Sequence, residues 1–338
     1  MQKLRSLRSL LILFSGIFSI TTTLSGHAQV LLDGERETKI TTIPGVVAEG
    51  AGWSVMWADF FSADGILGTP DGGVLFAQEQ TDKIIRITAD GKQYTAIEDT
   101  NGAGSVSLDN EGRLFAAQRT CTEPLNTELP GCNELTRIVQ LLPEFRLLAN
   151  SFANGASLGR VNDLIDDGNG GAFFTSGGAW HVSADGVIAV IADTDILSNG
   201  IMLNRDRSVL YVTNNTEVLA FDVTADGSAS NRRVFGSLNG DNGGDGMTID
   251  NDGRLYTTGN LGIHVHAEDG TYLGMIPTPR RAITVAFSGP NDKTLYAPSM
   301  GAIGPNGKQW TTPEGIRNIA MTIYTIPMES AGFAGRPK

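Results

Sequence analysis

Gly244-Asp245-Gly246-Met247-Thr248-Ile249-Asp250-Asn251-Asp252-Gly253-Arg254-Leu255-Tyr256-Thr257 holds the unit from which this chain is built. It begins with a polar residue at Asp245 and reaches a turn-forming cluster around Asp252 seven residues later. It then runs into a β-type triplet, Leu255-Tyr256-Thr257. The same order and offsets recur at Asp64 before Asp71 and Val74-Leu75-Phe76, at Asn162 before Asn169 and Ala172-Phe173-Phe174, and at Asn199 before Asp206 and Val209-Leu210-Tyr211. Two further copies are anchored on Glu111, with Leu114-Phe115-Ala116, and on Asp292, with Leu295-Tyr296-Ala297. The anchors are separated by 40, 58, 37, 46 and 40 residues.

A period near forty residues, built of short strands and Asp/Asn-Gly turns, predicts a radial all-β architecture with one four-stranded blade per repeat. The expectation is therefore a six-bladed β-propeller. Asp90-Gly91, Asp185-Gly186, Asp226-Gly227 and Asp269-Gly270 supply further hairpin turns within the repeats. The alternating Met321-Thr322-Ile323-Tyr324-Thr325-Ile326 belongs to the blade that closes the ring. Residues 29–338 form a single domain on this reading, because repeat folds escape the usual size per core.

Residues 1–28 read as a signal peptide: Lys3, Arg5 and Arg8, an apolar run from Leu10 to Ile20, then small and polar residues ending Gly26-His27-Ala28. The run is too short to span a membrane comfortably. The expected location is periplasmic or secreted, with no membrane attachment after cleavage. Removal of this segment moves the formal charge from −12 to −15. Such acidity, without Lys/Arg clusters, argues against nucleic acid or an anionic membrane as partner. The only cysteines, Cys121 and Cys132, lie in the insertion that lengthens the second repeat. In an oxidising compartment they can close a small loop as a disulfide, worth roughly 2–3 kcal/mol on the chain-entropy model. Their spacing, with no histidine nearby, suits neither zinc nor a thioredoxin-type pair.

In a propeller the innermost strand of each blade lines the central channel, and the residue at or just before its start faces the channel mouth. Asp64, Asn162, Asn199 and Asp245 share that phase, while Gly104 and Val285 stand there in the other two copies. Two carboxylates and two amide carbonyls make a hard, all-oxygen shell. The competing reading has these residues bonding their own backbone in tight turns. Four copies at one offset favour convergence on a central-channel metal site for one divalent cation, Ca²⁺ first, with Mg²⁺, Mn²⁺ or Zn²⁺ as alternatives.

Arg160-Val161-Asn162-Asp163-Leu164 and Asn199-Gly200-Ile201-Met202-Leu203-Asn204 with Leu210-Tyr211-Val212 resemble the SMP-30/gluconolactonase/luciferin-regenerating-like family. So do Gly244-Asp245-Gly246-Met247 with Asp250-Asn251-Asp252-Gly253, and Gly274-Met275-Ile276-Pro277-Thr278-Pro279. The resemblance runs in motif order from about residue 45 to the C-terminus. It implies a six-bladed propeller with a divalent cation in the channel and hydrolysis of sugar lactones, an architecture shared with diisopropylfluorophosphatase-like hydrolases. At the matching positions it implies metal ligation by Asn199 and Asp245, contact of Asn162 with metal or substrate, and substrate contact by Arg160. Two departures stand out. The family opens with Glu-Gly-Pro-x-Trp before an Asp-Gly turn, and here Glu49-Gly50-Ala51-Gly52-Trp53 and Asp64-Gly65 both compete for the first ligand. Asp64 is in phase with the other three donors, and Glu49 is kept as the alternative. Thr175-Ser176-Gly177 replaces the common Thr-Asp-Pro.

The chemistry expected from these residues is attack of an activated water on a lactone carbonyl polarised by the cation, with Asp245 as general base and Arg160 holding the oxyanion or a substrate hydroxyl. No Gly-x-Ser-x-Gly elbow is present. His181, His264 and His266 read as ordinary strand residues. The Trp53, Trp57, Phe60 and Phe61 cluster reads as packing rather than a lid. A phosphotriesterase on the same site, and a non-enzymatic binding propeller with a structural metal, are the alternative functions.

Overall fold

The computed structural model describes residues 31–119, 136–312, 315–316 and 320–335. The predicted signal segment and both cysteines, Cys121 and Cys132, lie outside the described residues.

Six four-stranded antiparallel sheets follow one another round a ring. Blades I to V each use four consecutive strands, from inner to outer edge. Their innermost strands are Asp64–Gly68, Ala103–Leu108, Leu164–Asp166, Ser198–Leu203 and Met247–Ile249. Blade VI is composite: Ala286–Ser288 is innermost, followed by Thr294–Met300, Met321–Pro327 and, at the outer edge, the N-terminal strand Ser54–Asp59. Pairing of Ser54 with Thr325 and Trp57 with Ile323 closes the ring with the two ends of the chain. The predicted all-β, six-bladed propeller is thus the observed fold, with Met321–Pro327 in the closing blade.

Each blade lies between two others, so both faces of its inner strands are buried, while outermost strands such as Gln93–Glu98 and Ala229–Ser237 stay largely exposed. That is why the repeat carries apolar runs instead of an apolar-polar alternation. Successive residues of one run go to opposite neighbours. Phe173 joins a core with blade IV, whereas Phe174 joins one with blade II. Leu255 faces blade IV and Tyr256 faces blade VI. Trp53 and Trp57 belong to this packing, whereas half-buried Phe60 meets Phe61 and Trp310 edge-on. Trp57 packs against Phe76 at a tilt with ring centres 4.9 Å apart, and Trp53 meets Tyr324 edge-on at 6.4 Å.

In blades II, III and V the turn after the inner strand is held mainly by the residue two positions before the anchor. Asp109 accepts from the Glu111 and Arg113 amides, Asp167 from those of Asn169 and Gly171, and Asp250 from those of Asp252 and Arg254. In blade I, Thr69 and Asp71 bond each other. A side-chain oxygen closing the turn pre-forms the hairpin that leads into the second strand.

Candidate functional site

The repeat offset becomes geometry at one end of the channel. Asp64 opens the inner strand of blade I, Asn199 is the second residue of blade IV's, and Asn162 and Asp245 sit two residues before those of blades III and V. In blades I, II and IV the pairing slips at this point, between Asp64 and Leu67, Ala103 and Ser105, and Ser198 and Ile201. Such bulges take a residue off the ladder and re-aim its side chain. The glycine after Asn199 has a steric cause: a Cβ on Gly200 would lie 2.1 Å from the Asp245 carbonyl oxygen. In blade III that place is taken by Asp163, whose carboxylate ties neighbouring blades by accepting from Ser105 Oγ at 2.6 Å and the Ile201 amide at 3.1 Å.

The ring also contains a cation of its own. Arg119 follows the second strand of blade II, Leu114–Gln118, and is only 4% exposed. Its Nη1 donates to Asp64 Oδ2 at 3.1 Å and Glu79 Oε2 at 2.9 Å, its Nη2 to Asn162 Oδ1 at 3.0 Å, and its Nε to the Val161 carbonyl at 3.1 Å. A Cβ on Gly104 would lie 2.3 Å from this guanidinium. The copy that lacks an oxygen donor therefore has glycine because an arginine occupies the space. Burial works against the Arg119 charge, but Glu79 and Asp64 more than offset it and hold its pKa above the ordinary value.

Asp245 is the most perturbed carboxylate. Its side chain is 18% exposed, and its pKa is raised to about 8, first by burial and then by the charge of Asp64. Arg281 Nη2, 3.7 Å from Asp245 Oδ2, pulls the other way. Asn162 Nδ2 donates to Asn199 Oδ1 at 2.5 Å. All four predicted donors are thus linked through Arg119, a mutual hydrogen bond or a direct electrostatic effect. Arg160 lies at the exposed rim, with Nη2 3.9 Å from Glu79 Oε1. Glu49 is exposed, in the segment leading to Trp53, whose indole donates to the Pro277 carbonyl at the outer side of blade V. Among the described residues no three His, Cys, Asp or Glu side chains form a metal-ligating group. A divalent ion in the ring would therefore draw on the amide oxygens of Asn162 and Asn199 together with Asp64 and Asp245. The two carboxylates, one lifting the pKa of the other, suit such an ion chemically.

Arg119, Glu79 and Arg281 escaped the sequence reading, and Asp163 was noted only as a neighbour of Asn162. A signal for two of them existed: Glu79 and Arg119 each stand eight residues after an anchor, Asp71 and Glu111. This is a second register of the same repeat. The described histidines, His181, His264 and His266, are buried in third strands, away from the ring. His181 and His264 pair with Asp167 at 2.9 Å and Asp241 at 3.0 Å, and His266 with the Ser237 carbonyl at 3.0 Å.

A cleft of about 460 Å³, lined by Gly177, Leu197, Ser198, Asn199, Asn215 and Gly244, opens beside the ring. A slightly larger cavity of about 490 Å³, between Pro70, Leu108, Phe287 and Phe333, lies by the turns that follow the inner strands. Asp109 on its wall is already bonded to its own turn and to Arg113. The cleft beside Asn199 is the one that adjoins the polar ring.

A six-bladed propeller with carboxylates and amides converging at one channel mouth defines a class of ring proteins with a polar axial site. Within that class, the family model for the SMP-30/gluconolactonase/LRE-like region matches residues 71–301, and the chain belongs to that family. It is 25% identical over 244 residues to regucalcin of Xenopus laevis, an alignment covering 68% of this chain and 79% of that protein. It is 26% identical over 225 residues to the gluconolactonase of Zymomonas mobilis, covering 58% of this chain and 60% of that one. The solved gluconolactonase of Xanthomonas campestris superposes with a TM-score of 0.66 at 19% identity, over 88% of this chain and 96% of that one, a likeness of fold.

Proposed function

We propose that the channel mouth hydrolyses the ring ester of a small lactone, a sugar lactone by preference, with one divalent cation, Ca²⁺ first, held by Asp64, Asn162, Asn199 and Asp245. The observation that carries this reading is a pair of carboxylates, Asp64 and Asp245, near enough to feel each other's charge, beside two amide oxygens, in a chain whose family includes gluconolactonases. When bound, the cation supplies Lewis-acid polarisation of the ester carbonyl and acidifies an adjacent water. Asp245 takes the proton from that water and returns it to the leaving alkoxide as the ring opens. Arg160, exposed at the rim, donates charge-assisted hydrogen bonds to the developing oxyanion or a sugar hydroxyl. Asn162 orients the substrate against Asp245. The leader-like residues 1–28 support action in the periplasm or outside the cell.

The test is hydrolysis of a lactone panel, with a phosphotriester included, after chelation and separate re-addition of Ca²⁺, Mg²⁺, Mn²⁺ and Zn²⁺. Asp245→Asn is expected to lower kcat/KM by about 10²–10⁴ in a folded protein. Absence of lactone hydrolysis with every cation refutes the reading, and turnover of the phosphotriester alone transfers the site to that chemistry.

A further inference from the structure

Arg119 and the cation of the proposed site are drawn to the same atoms. The guanidinium bonds Asp64 Oδ2 through Nη1 and Asn162 Oδ1 through Nη2, two oxygens of the four-residue donor set. Two positive centres sharing those oxygens at bonding distance repel in a part-buried site, where water screens them less than at an open surface. The guanidinium also has somewhere to go. Glu79 Oε2 already accepts from Arg119 at 2.9 Å, while Glu79 Oε1 is buried without a hydrogen-bond partner. A rotation toward Glu79 would turn the single Glu79 contact into a two-pronged arginine–carboxylate pair, the geometry guanidinium favours, in exchange for bonds to Asp64, to Asn162 and to the Val161 carbonyl.

We propose that Arg119 is a resident counter-ion of the ring: it binds Asp64 and Asn162 in the cation's absence, and the arriving cation displaces it onto Glu79. Arg119 therefore holds down the affinity of the site for divalent ions and keeps the donors gathered when none is bound. This rests on the reading that the ring takes a divalent cation, and not on which ester is hydrolysed.

Calorimetric titration with CaCl₂ at fixed ionic strength, without any lactone, tests it on the full chain. Arg119→Gln is expected to bind Ca²⁺ about tenfold or more tightly than the unaltered protein, and Arg119→Lys, which keeps the charge, to stay near it. Equal or weaker binding by a folded Arg119→Gln variant, or no binding by either it or the unaltered protein, overturns the proposal. Should Arg119→Gln fail to fold, the ¹⁵N-labelled unaltered protein gives a second readout. The Arg119 Nε–H resonance, identified by its loss in Arg119→Lys, is expected to shift as Ca²⁺ saturates the ring. A resonance unmoved at saturation overturns the displacement. Because no substrate is present, a protein that binds calcium in this way but hydrolyses no lactone would separate this inference from the proposed activity.

Discussion

Blades I, III, IV and V place an oxygen donor where the inner strand begins, and blades II and VI place Gly104 and Val285 there. The exceptions are not equivalent. In blade II the space above Gly104 is filled by the Arg119 guanidinium, delivered from the end of the second strand. In blade VI, Val285 is buried in the core with blade V, and a cation comes from the preceding segment instead, Arg281 beside Asp245. Where the repeat withholds an oxygen, the molecule sets a positive charge next to a carboxylate of the ring. The comparison teaches that a propeller's axial position is a slot that different parts of a repeat can fill, with glycine marking the slot filled from elsewhere.

Three perturbations would break or sharpen that contrast. The largest effect is expected from Gly104→Val, whose side chain cannot coexist with the guanidinium 2.3 Å away. Expelling Arg119 strips buried Glu79 of its closest cation and leaves it only the rim guanidinium of Arg160 at 3.9 Å, a loss of about 3–5 kcal/mol by denaturant unfolding. A loss below about 1 kcal/mol would show that the arginine leaves its slot freely.

Asp245→Asn comes next and should change sign with the metal. The folded-state pKa of Asp245 is raised to about 8, so the chelated folded protein binds more protons than the unfolded chain from the ordinary carboxylate range up to that value. Stability of the chelated protein should therefore fall as pH rises toward 8. Near pH 7 Asp245→Asn should be more stable by about 1–3 kcal/mol and should flatten the profile. In saturating Ca²⁺ the unaltered protein should melt higher, because a ligand that binds only the folded state stabilises it. Thermal melts across pH, with and without chelator, check both signs. The smallest effect belongs to Arg281→Gln. This part-exposed pair at 3.7 Å should change stability by under about 1 kcal/mol, with the difference fading at high salt. A larger, salt-insensitive loss would give Arg281 the same standing as Arg119.

Much of this was legible in the residues because it is local. The polar-turn-triplet spacing announced six blades, and the adjacent apolar residues Phe173 and Phe174 signalled strands buried on both faces. The phase that aligned Asp64 with Asn162, Asn199 and Asp245 also described a ring, since equal steps along equivalent strands end at equivalent places around an axis. The anchors mark the turns, but which side chain closes each is not legible there: in blades II, III and V it is Asp109, Asp167 and Asp250, two residues earlier. Closure by Ser54–Asp59 was not legible, because pairing between the two ends of a chain leaves no periodic mark on either.

By itself the sequence determined the repeat, the strands and turns within it, and the four donors in one phase, all set by steric and hydrogen-bonding preferences over a few residues. Only the tertiary structure decided that Arg119 reaches Asp64 across 55 residues of chain, that Glu79 keeps an oxygen without a hydrogen bond beside it, and that burial and then Asp64 lift the pKa of Asp245. These are effects of charges brought together in a part-buried space, and distance along the chain carries no record of which charges will meet there.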